Sequence, residues 1–229
     1  MLGERVAHHA GVRRIEAGDR VAITDGVGTV AHGHVARITK REIEVSIDHA
    51  EPVAVPPPLR LLAPVADRDR MLWLAEKATE LGITSWQSVR FRRSASVSPR
   101  GEGPAFGEKL RARMIGALEQ SFGAWLPVIL PDATPASVEA GDGVTLVLDP
   151  RGDALLDVVS PRDIASSVLV GPEGGIEEEE LDRLVAGGWR LASLGSAILR
   201  FETAAVSAAA IIRAVHASNP SHGVPSRGQ

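Results

Sequence analysis

The chain has no cysteine and no tyrosine in its 229 residues, and only 3% of them are aromatic. The absence of cysteine excludes disulfides, thiolate zinc sites and a cysteine nucleophile. So few rings argue against recognition of nucleic acid by a broad aromatic platform. No apolar run is long enough to span a bilayer. The opening MLGERVAHHA lacks the apolar core of a secretory leader. A cytoplasmic location is therefore expected, with no membrane partner. Lysine is also scarce: only Lys40, Lys77 and Lys109 stand among 25 basic residues, the rest being arginine.

What is present is a globular composition, 44% hydrophobic and 24% charged, with a net charge of −4. The charge is unevenly spread. Residues 86–125 carry seven basic and three acidic side chains, whereas residues 126–229 carry seven and fourteen. The basic excess gathers around Arg90, Arg92, Arg93, Arg100, Arg111 and Arg113. Two readings stand. One is a compositional preference for arginine; the other is bidentate contact with phosphate, for which the planar guanidinium is suited.

The hydrophobic pattern divides the chain. Residues 20–48 alternate with period two and show no helical period. Arg20–Thr24, Val27–Ile38 and Glu42–Ile47 read as strands, with Asp25-Gly26 as a hairpin turn. This predicts a small all-β module, a barrel, over residues 1–55. The EPVAVPPP stretch at residues 51–58 can continue neither a helix nor a central strand, and marks the boundary.

Beyond it strands and helices alternate. Leu59–Val65 reads as a buried strand. Asp67 is placed to cap a helix that runs to about Leu81 and stops at Gly82. Ile83–Phe91 reads as a strand, Ser94–Gly107 as a Gly/Ser/Pro loop, Glu108–Phe122 as a helix and Leu126–Leu130 as a short strand. Val144–Leu148 and Ser167–Val170 read as buried parallel strands. Glu177–Ala186 is a predicted helix, Trp189–Leu194 a strand, and Thr203–His216 a long Ala-rich helix. The alternation predicts an α/β domain on a parallel sheet over residues 59–217, followed by a flexible polar tail at 218–229. No internal repeat is present.

Two loops that follow buried strands stand out. The first is Gly171-Pro172-Glu173-Gly174-Gly175, whose glycines allow a ligand or another backbone to approach closely. It enters a helix that opens with Glu177, Glu178, Glu179 and Glu180, acids that complement the helix dipole and disfavour phosphate there. The Lys and Ser/Thr of a Walker loop are missing. The second is Leu194-Gly195-Ser196-Ala197-Ile198-Leu199-Arg200-Phe201-Glu202-Thr203, with Thr203 as the expected N-cap of the last helix. Ile198 and Leu199 either anchor this loop in the core or line a pocket for a flat apolar group such as adenine. In an open α/β sheet, ligands sit at the carboxyl ends of strands, where both loops lie.

GPEGG followed some twenty residues later by LGSAILRFETA resembles the SPOUT methyltransferases, and the whole chain is most similar to the RsmE family within them. EKATELGI (residues 76–83), Arg93-Ser94, Glu119-Gln120-Ser121 with Pro127, and His8-His9 through Arg14 to Gly18-Asp19 and Asp25-Gly26 agree with that family's pattern. The likeness runs to about His216. Two features depart from it. The family's opening strand and an early basic residue precede the HH motif, whereas here Met1 stands just before it. The family also often carries Arg two residues after the E-Q-S triplet, where this chain has Phe122-Gly123.

The resemblance implies a PUA-like β-barrel in front of a SPOUT α/β domain with a deep trefoil knot. It further implies a homodimer that uses S-adenosylmethionine to methylate N3 of a uridine in small-subunit (16S) ribosomal RNA, within the 30S subunit. Carried over onto this sequence, the cofactor-binding residues are Leu148, Gly171, Gly174, Gly175, Leu194, Gly195, Ile198, Leu199 and Thr203. Arg14, Arg93 and His9 are the RNA-binding candidates. No metal is expected, because a sulfonium methyl is already activated. Uracil N3 must lose its proton to become nucleophilic, and a cation near the developing anion favours that loss. Arg200 is the first candidate for that cation. Glu173 is the candidate proton acceptor or the partner of an arginine. A related methyltransferase acting on another base or on a ribose 2′-OH, and a non-catalytic RNA-binding assembly module, are the alternatives.

Overall fold

The computed structural model describes residues 14–39, 41–94, 99–160 and 165–218. The chain separates into two compact units: residues 1–55 with 122–125, and residues 56–121 with 126–229.

In the first unit, β1 (Arg20–Thr24), β2 (Thr29–Ile38) and β3 (Ile43–Pro52) form an antiparallel sheet in the order β1-β2-β3. The turn between β1 and β2 forms where Asp25-Gly26 predicts it. The Asp25 carboxylate accepts from the N–H groups of Val27 and Thr29, and Gly26 takes a positive φ of 74°. β3 runs five residues beyond its predicted end, so Glu51-Pro52 belongs to the strand rather than to a spacer. Val35 and Ile43 form the small core of this sheet, with Ile15, Val21, Ile38 and Val45 against it. Trp125 belongs to this unit as well, its indole N–H directed at the carbonyls of Val53 and Ala54.

The second unit is an α/β domain on one parallel six-stranded sheet ordered β6-β5-β4-β8-β7-β9. Its elements are β4 (Leu59–Pro64), α1 (Arg68–Glu80), β5 (Ser85–Val89), α2 (Pro104–Ser121), β6 (Val128–Ile129), β7 (Val144–Ala154), α3 (Leu155–Val158), β8 (Ser166–Val170), α4 (Glu178–Ala186), β9 (Arg190–Ser193) and α5 (Phe201–Ala217). Both faces of the sheet are covered. Leu61, Leu146 and Val168 join one core with residues of α1, α2 and α5. Leu62, Val147 and Leu169 join the other with Leu181, Leu184 and Trp189. This two-sided burial is why β4, β7 and β8 read as continuous apolar runs.

Several predicted boundaries shift, each for a local reason. α1 begins as expected, with the Asp67 side chain accepting from the N–H groups of Asp69 and Arg70. α2 starts at Pro104 rather than Glu108, because proline is tolerated in a first turn that needs no N–H donor there. β7 continues past Leu148 to Ala154. Asp149 and Arg151 pair at 2.9 Å, and Asp153 returns to oppose Ala192, the residue that Leu148 also opposes. The short helix α3 has no counterpart in the sequence reading. Thr203 is not the N-cap of α5: that position is Arg200, and Thr203 lies exposed within the first turn. The predicted tail falls outside the described residues from 219 onwards, as does His9.

Candidate active site

Strand register brings the predicted cofactor segments together. β7 lies between β8 and β9, and Leu148 stands opposite Val170 on one side and Ala192 on the other. Gly171–Gly175 leaves β8 one residue beyond Val170, and Leu194 leaves β9 directly after Ser193. Leu148 and both loops thus occupy the carboxyl ends of three adjacent parallel strands.

The first loop turns tightly, with the Gly175 N–H donating to the Pro172 carbonyl at 2.8 Å. It is held from outside by Arg93, whose Nη1 donates to the Gly174 carbonyl at 3.2 Å. A Cβ at position 174 would stand 3.2 Å from the Arg93 Cβ, so glycine there permits this close approach. The acids that follow serve the helix start. A Glu180 carboxylate oxygen lies 3.4 Å from the Glu177 N–H, and its other oxygen accepts from the Arg92 N–H at 3.0 Å. The Arg92 side chain spans Glu177 and Glu179, whose hydrogen bonds raise its pKa above the ordinary arginine range.

In the second loop the Ser193 hydroxyl accepts from the Gly195 N–H at 3.1 Å and donates to the Gly195 carbonyl at 3.2 Å. Gly195 has φ +110°, and a Cβ there would meet nothing within 4 Å. Ile198 and Leu199 take opposite environments. Leu199 packs against the core, while Ile198 is 95% exposed. With the half-buried Leu148 and the open face of Gly175, apolar side chains and accessible backbone stand at these strand ends. That lining fits a flat apolar base carried on a small cofactor.

Charged groups border these strand ends. The Asp149 carboxyl is held below its ordinary range, first by the Arg151 side chain. Glu173 and Glu202 converge on one guanidinium, that of Arg70 from α1. Arg70 Nε and Nη2 donate to the two Glu202 oxygens at 3.1 and 2.5 Å, and Nη1 donates to Glu173. Burial opposes the Arg70 charge, yet these hydrogen bonds outweigh it and raise its pKa. The arginine partner foreseen for Glu173 therefore exists. The sequence reading missed that it is Arg70, because 103 and 132 residues separate Arg70 from its partners.

Arg200 is exposed at the start of α5, and among the described residues no carboxylate lies within ion-pair distance of it. Arg14, in the first unit, is exposed with φ 55°. Of the other central arginines, Arg90 and Arg100 pair with Glu102, and Arg113 with Glu76. Among the described residues no group of three or more His, Cys, Asp or Glu could hold a metal ion, and no helix is long and apolar enough to cross a membrane.

Residues 2–48 match the family described as an RNA methyltransferase PUA domain. The Ribosomal RNA small subunit methyltransferase E of Aquifex aeolicus is 29% identical over 228 residues, covering 93% of each chain. Its Mycobacterium tuberculosis counterpart is 28% identical over 218 residues, covering 90% of this chain and 82% of the relative. Among solved structures, the Neisseria gonorrhoeae Ribosomal RNA small subunit methyltransferase E bound to S-adenosyl methionine matches with a TM-score of 0.81 at 25% identity, over 93% of each chain. A Legionella pneumophila protein in complex with the same cofactor gives 0.83 at 25% identity, over 92% of this chain and 89% of that one. Residues 55–213, which contain every element from β4 to the body of α5, match the RNA methyltransferase domain family, and the chain belongs to it.

Proposed function

We propose that this protein transfers the methyl group of S-adenosylmethionine to N3 of a uridine in 16S ribosomal RNA, within the 30S subunit, and works as a cytoplasmic homodimer. The observation that carries this reading is the register that sets Leu148 between Val170 and Ala192, so that GPEGG and LGSAILRFET leave the two strands that flank β7. Relatives similar over most of the chain are named for ribosomal RNA methylation, and two structural neighbours hold the cofactor. In this reading the crossing of these loops is a trefoil knot. The N-terminal unit is a PUA-like barrel that grips RNA, with Arg14 and His9 as its RNA-binding residues.

When bound, S-adenosylmethionine supplies an electrophilic methyl group. The chain's own residues bind, orient and exclude water. Leu148, Leu194 and Leu199 with the exposed Ile198 form an apolar wall for the adenine. The backbone at Gly171, Gly174, Gly175, Gly195 and Thr203 meets the polar edges. Arg200 faces the uracil and stabilises negative charge on its carbonyl oxygens as N3–H gives its proton to water. Glu173, engaged by Arg70, acts as an orienting acid for its loop. Arg93 steadies the same loop at the RNA side.

The test is direct. Purified protein, isotope-labelled cofactor and small subunits are incubated, and the modified nucleotide is mapped. Methylation of uridine N3 is expected; a ribose 2′-O-methyl or another modified base would replace the substrate assignment. In single turnover, Arg200→Ala is expected to slow transfer on the order of 10²–10³-fold while retaining cofactor binding. An unchanged rate would remove Arg200 from the chemistry.

A further inference from the structure

We infer that Arg70 is a positioning residue that fixes the spacing of the two cofactor loops, so that the cradle is assembled before the cofactor arrives. The inference rests on the proposed function and adds to it a residue lying in neither loop.

The geometry is that of a clamp. Arg70 sits in the first turn of α1, where Asp67 accepts from its backbone N–H at 3.0 Å. Met71 and Leu74, both fully buried, lock that turn to the core. The base of the side chain is therefore fixed. Its guanidinium then uses separate edges for separate loops. Nε and Nη2 take both oxygens of Glu202, at the end of the LGSAILRFET segment, and Nη1 takes Glu173, in GPEGG. Its Cζ lies 4.7 Å from the centroid of the buried Phe201 ring, which supports the plane of the fork.

Among the described residues no hydrogen bond runs directly from the 171–176 loop to the 194–203 segment. Arg70 is the polar link between them. The two halves of the clamp differ. The Glu202 side chain is 14% exposed and the Glu173 side chain 47%. The Glu202 half is the sheltered anchor. The Glu173 half, open to water, sets where GPEGG rests. A ligand gripped by both loops binds more weakly if it must first order them. Lysine cannot substitute, since one ammonium does not present three fixed donor edges.

The test uses the full chain and calorimetric titration with S-adenosylmethionine, beside thermal melts. Arg70→Met is expected to weaken cofactor affinity about tenfold or more, with Arg70→Lys intermediate. Glu173→Gln, on the exposed half, is expected to weaken affinity severalfold while melting like the parent protein. A merely structural role would not move affinity in that variant. In the double variant the two losses should fall short of their sum, because each removes the same contact. If Arg70→Met folds poorly, Glu173→Gln alone decides the matter. Affinity within twofold of the parent in Glu173→Gln, or strictly additive losses, overturns the clamp. Failure of the parent protein itself to bind the cofactor overturns the proposed function, and the clamp with it.

Discussion

Two glycines near the cradle are fixed by different physics, and substitutions separate them. At Gly195 the backbone holds φ +110°, which L side chains rarely adopt, yet a Cβ there points into open space. The cost of a larger residue at 195 is therefore backbone strain, about 1–3 kcal/mol, rather than a clash. At Gly152 the reverse holds. A Cβ would be driven into the backbone of Leu191 and Ala192, where the returning end of β7 lies against β9. The obstacle is main chain, which cannot swing aside as a side-chain tip can. Gly152→Ala is therefore expected to lower the urea midpoint by the equivalent of about 1–3 kcal/mol, the ordinary penalty for overpacking. Gly195→Ala is expected to weaken S-adenosylmethionine binding more than its melt alone accounts for. A parental urea midpoint in Gly152→Ala would refute the close β7–β9 contact.

Among the elements, α5 shows what a sequence reveals and what it hides. Its alanines read as a small-residue face. Ala205, Ala208 and Ala209 are fully buried where α5 packs on α1, β4 and β8. Ala208→Leu is expected to cost about 1–3 kcal/mol in chemical denaturation, whereas Ala214→Leu, on the exposed side, should stay within about 0.5 kcal/mol. Equal effects would mean that the helix face is misassigned. The strands β4 and β8 were legible because burial on both faces leaves an uninterrupted apolar run. The second half of β7 was not legible. DPRGD carries turn residues, and only the Asp149–Arg151 pair and the return to Ala192 make it a strand. The cofactor loops announce themselves by glycine. Arg70 does not, because nothing in Asp67-Arg68-Asp69-Arg70 marks one arginine out, and its partners arrive from distant sequence. The exposure of Ile198 and the packing of Leu199 illustrate the same limit at finer grain: adjacent apolar residues in one loop take opposite environments, and only the folded chain sorts them.

Over the whole molecule the charge distribution changes meaning once the chain folds. The basic excess of residues 86–125 suggested a phosphate-binding stretch. Folded, Arg92 is bound to Glu177 and Glu179, Arg90 and Arg100 to Glu102, Arg113 to Glu76, and Arg93 lies 3.6 Å from Glu177. Three of these six contacts draw on the acidic half of the sequence and one on Glu76, so part of the local surplus is matched by acids from outside the stretch. An arginine already held by carboxylates must break those contacts to meet a phosphate, and gains little by doing so. Arg14 differs: it is exposed in the first unit, and among the described residues no acid lies within ion-pair distance of it. The salt dependence of RNA binding distinguishes these cases, because each phosphate neutralised in a single strand contributes a slope of about −0.7 to log K against log salt concentration. Arg14→Gln is expected to make that slope shallower by about 0.7. Arg92→Gln is expected to leave the slope unchanged and to shift the thermal melt little, as for an exposed ion pair. Filter-binding titrations of small-subunit RNA over a series of salt concentrations read both. A slope that falls in Arg92→Gln and holds in Arg14→Gln would return the phosphate contact to the central arginines and take it from the N-terminal unit.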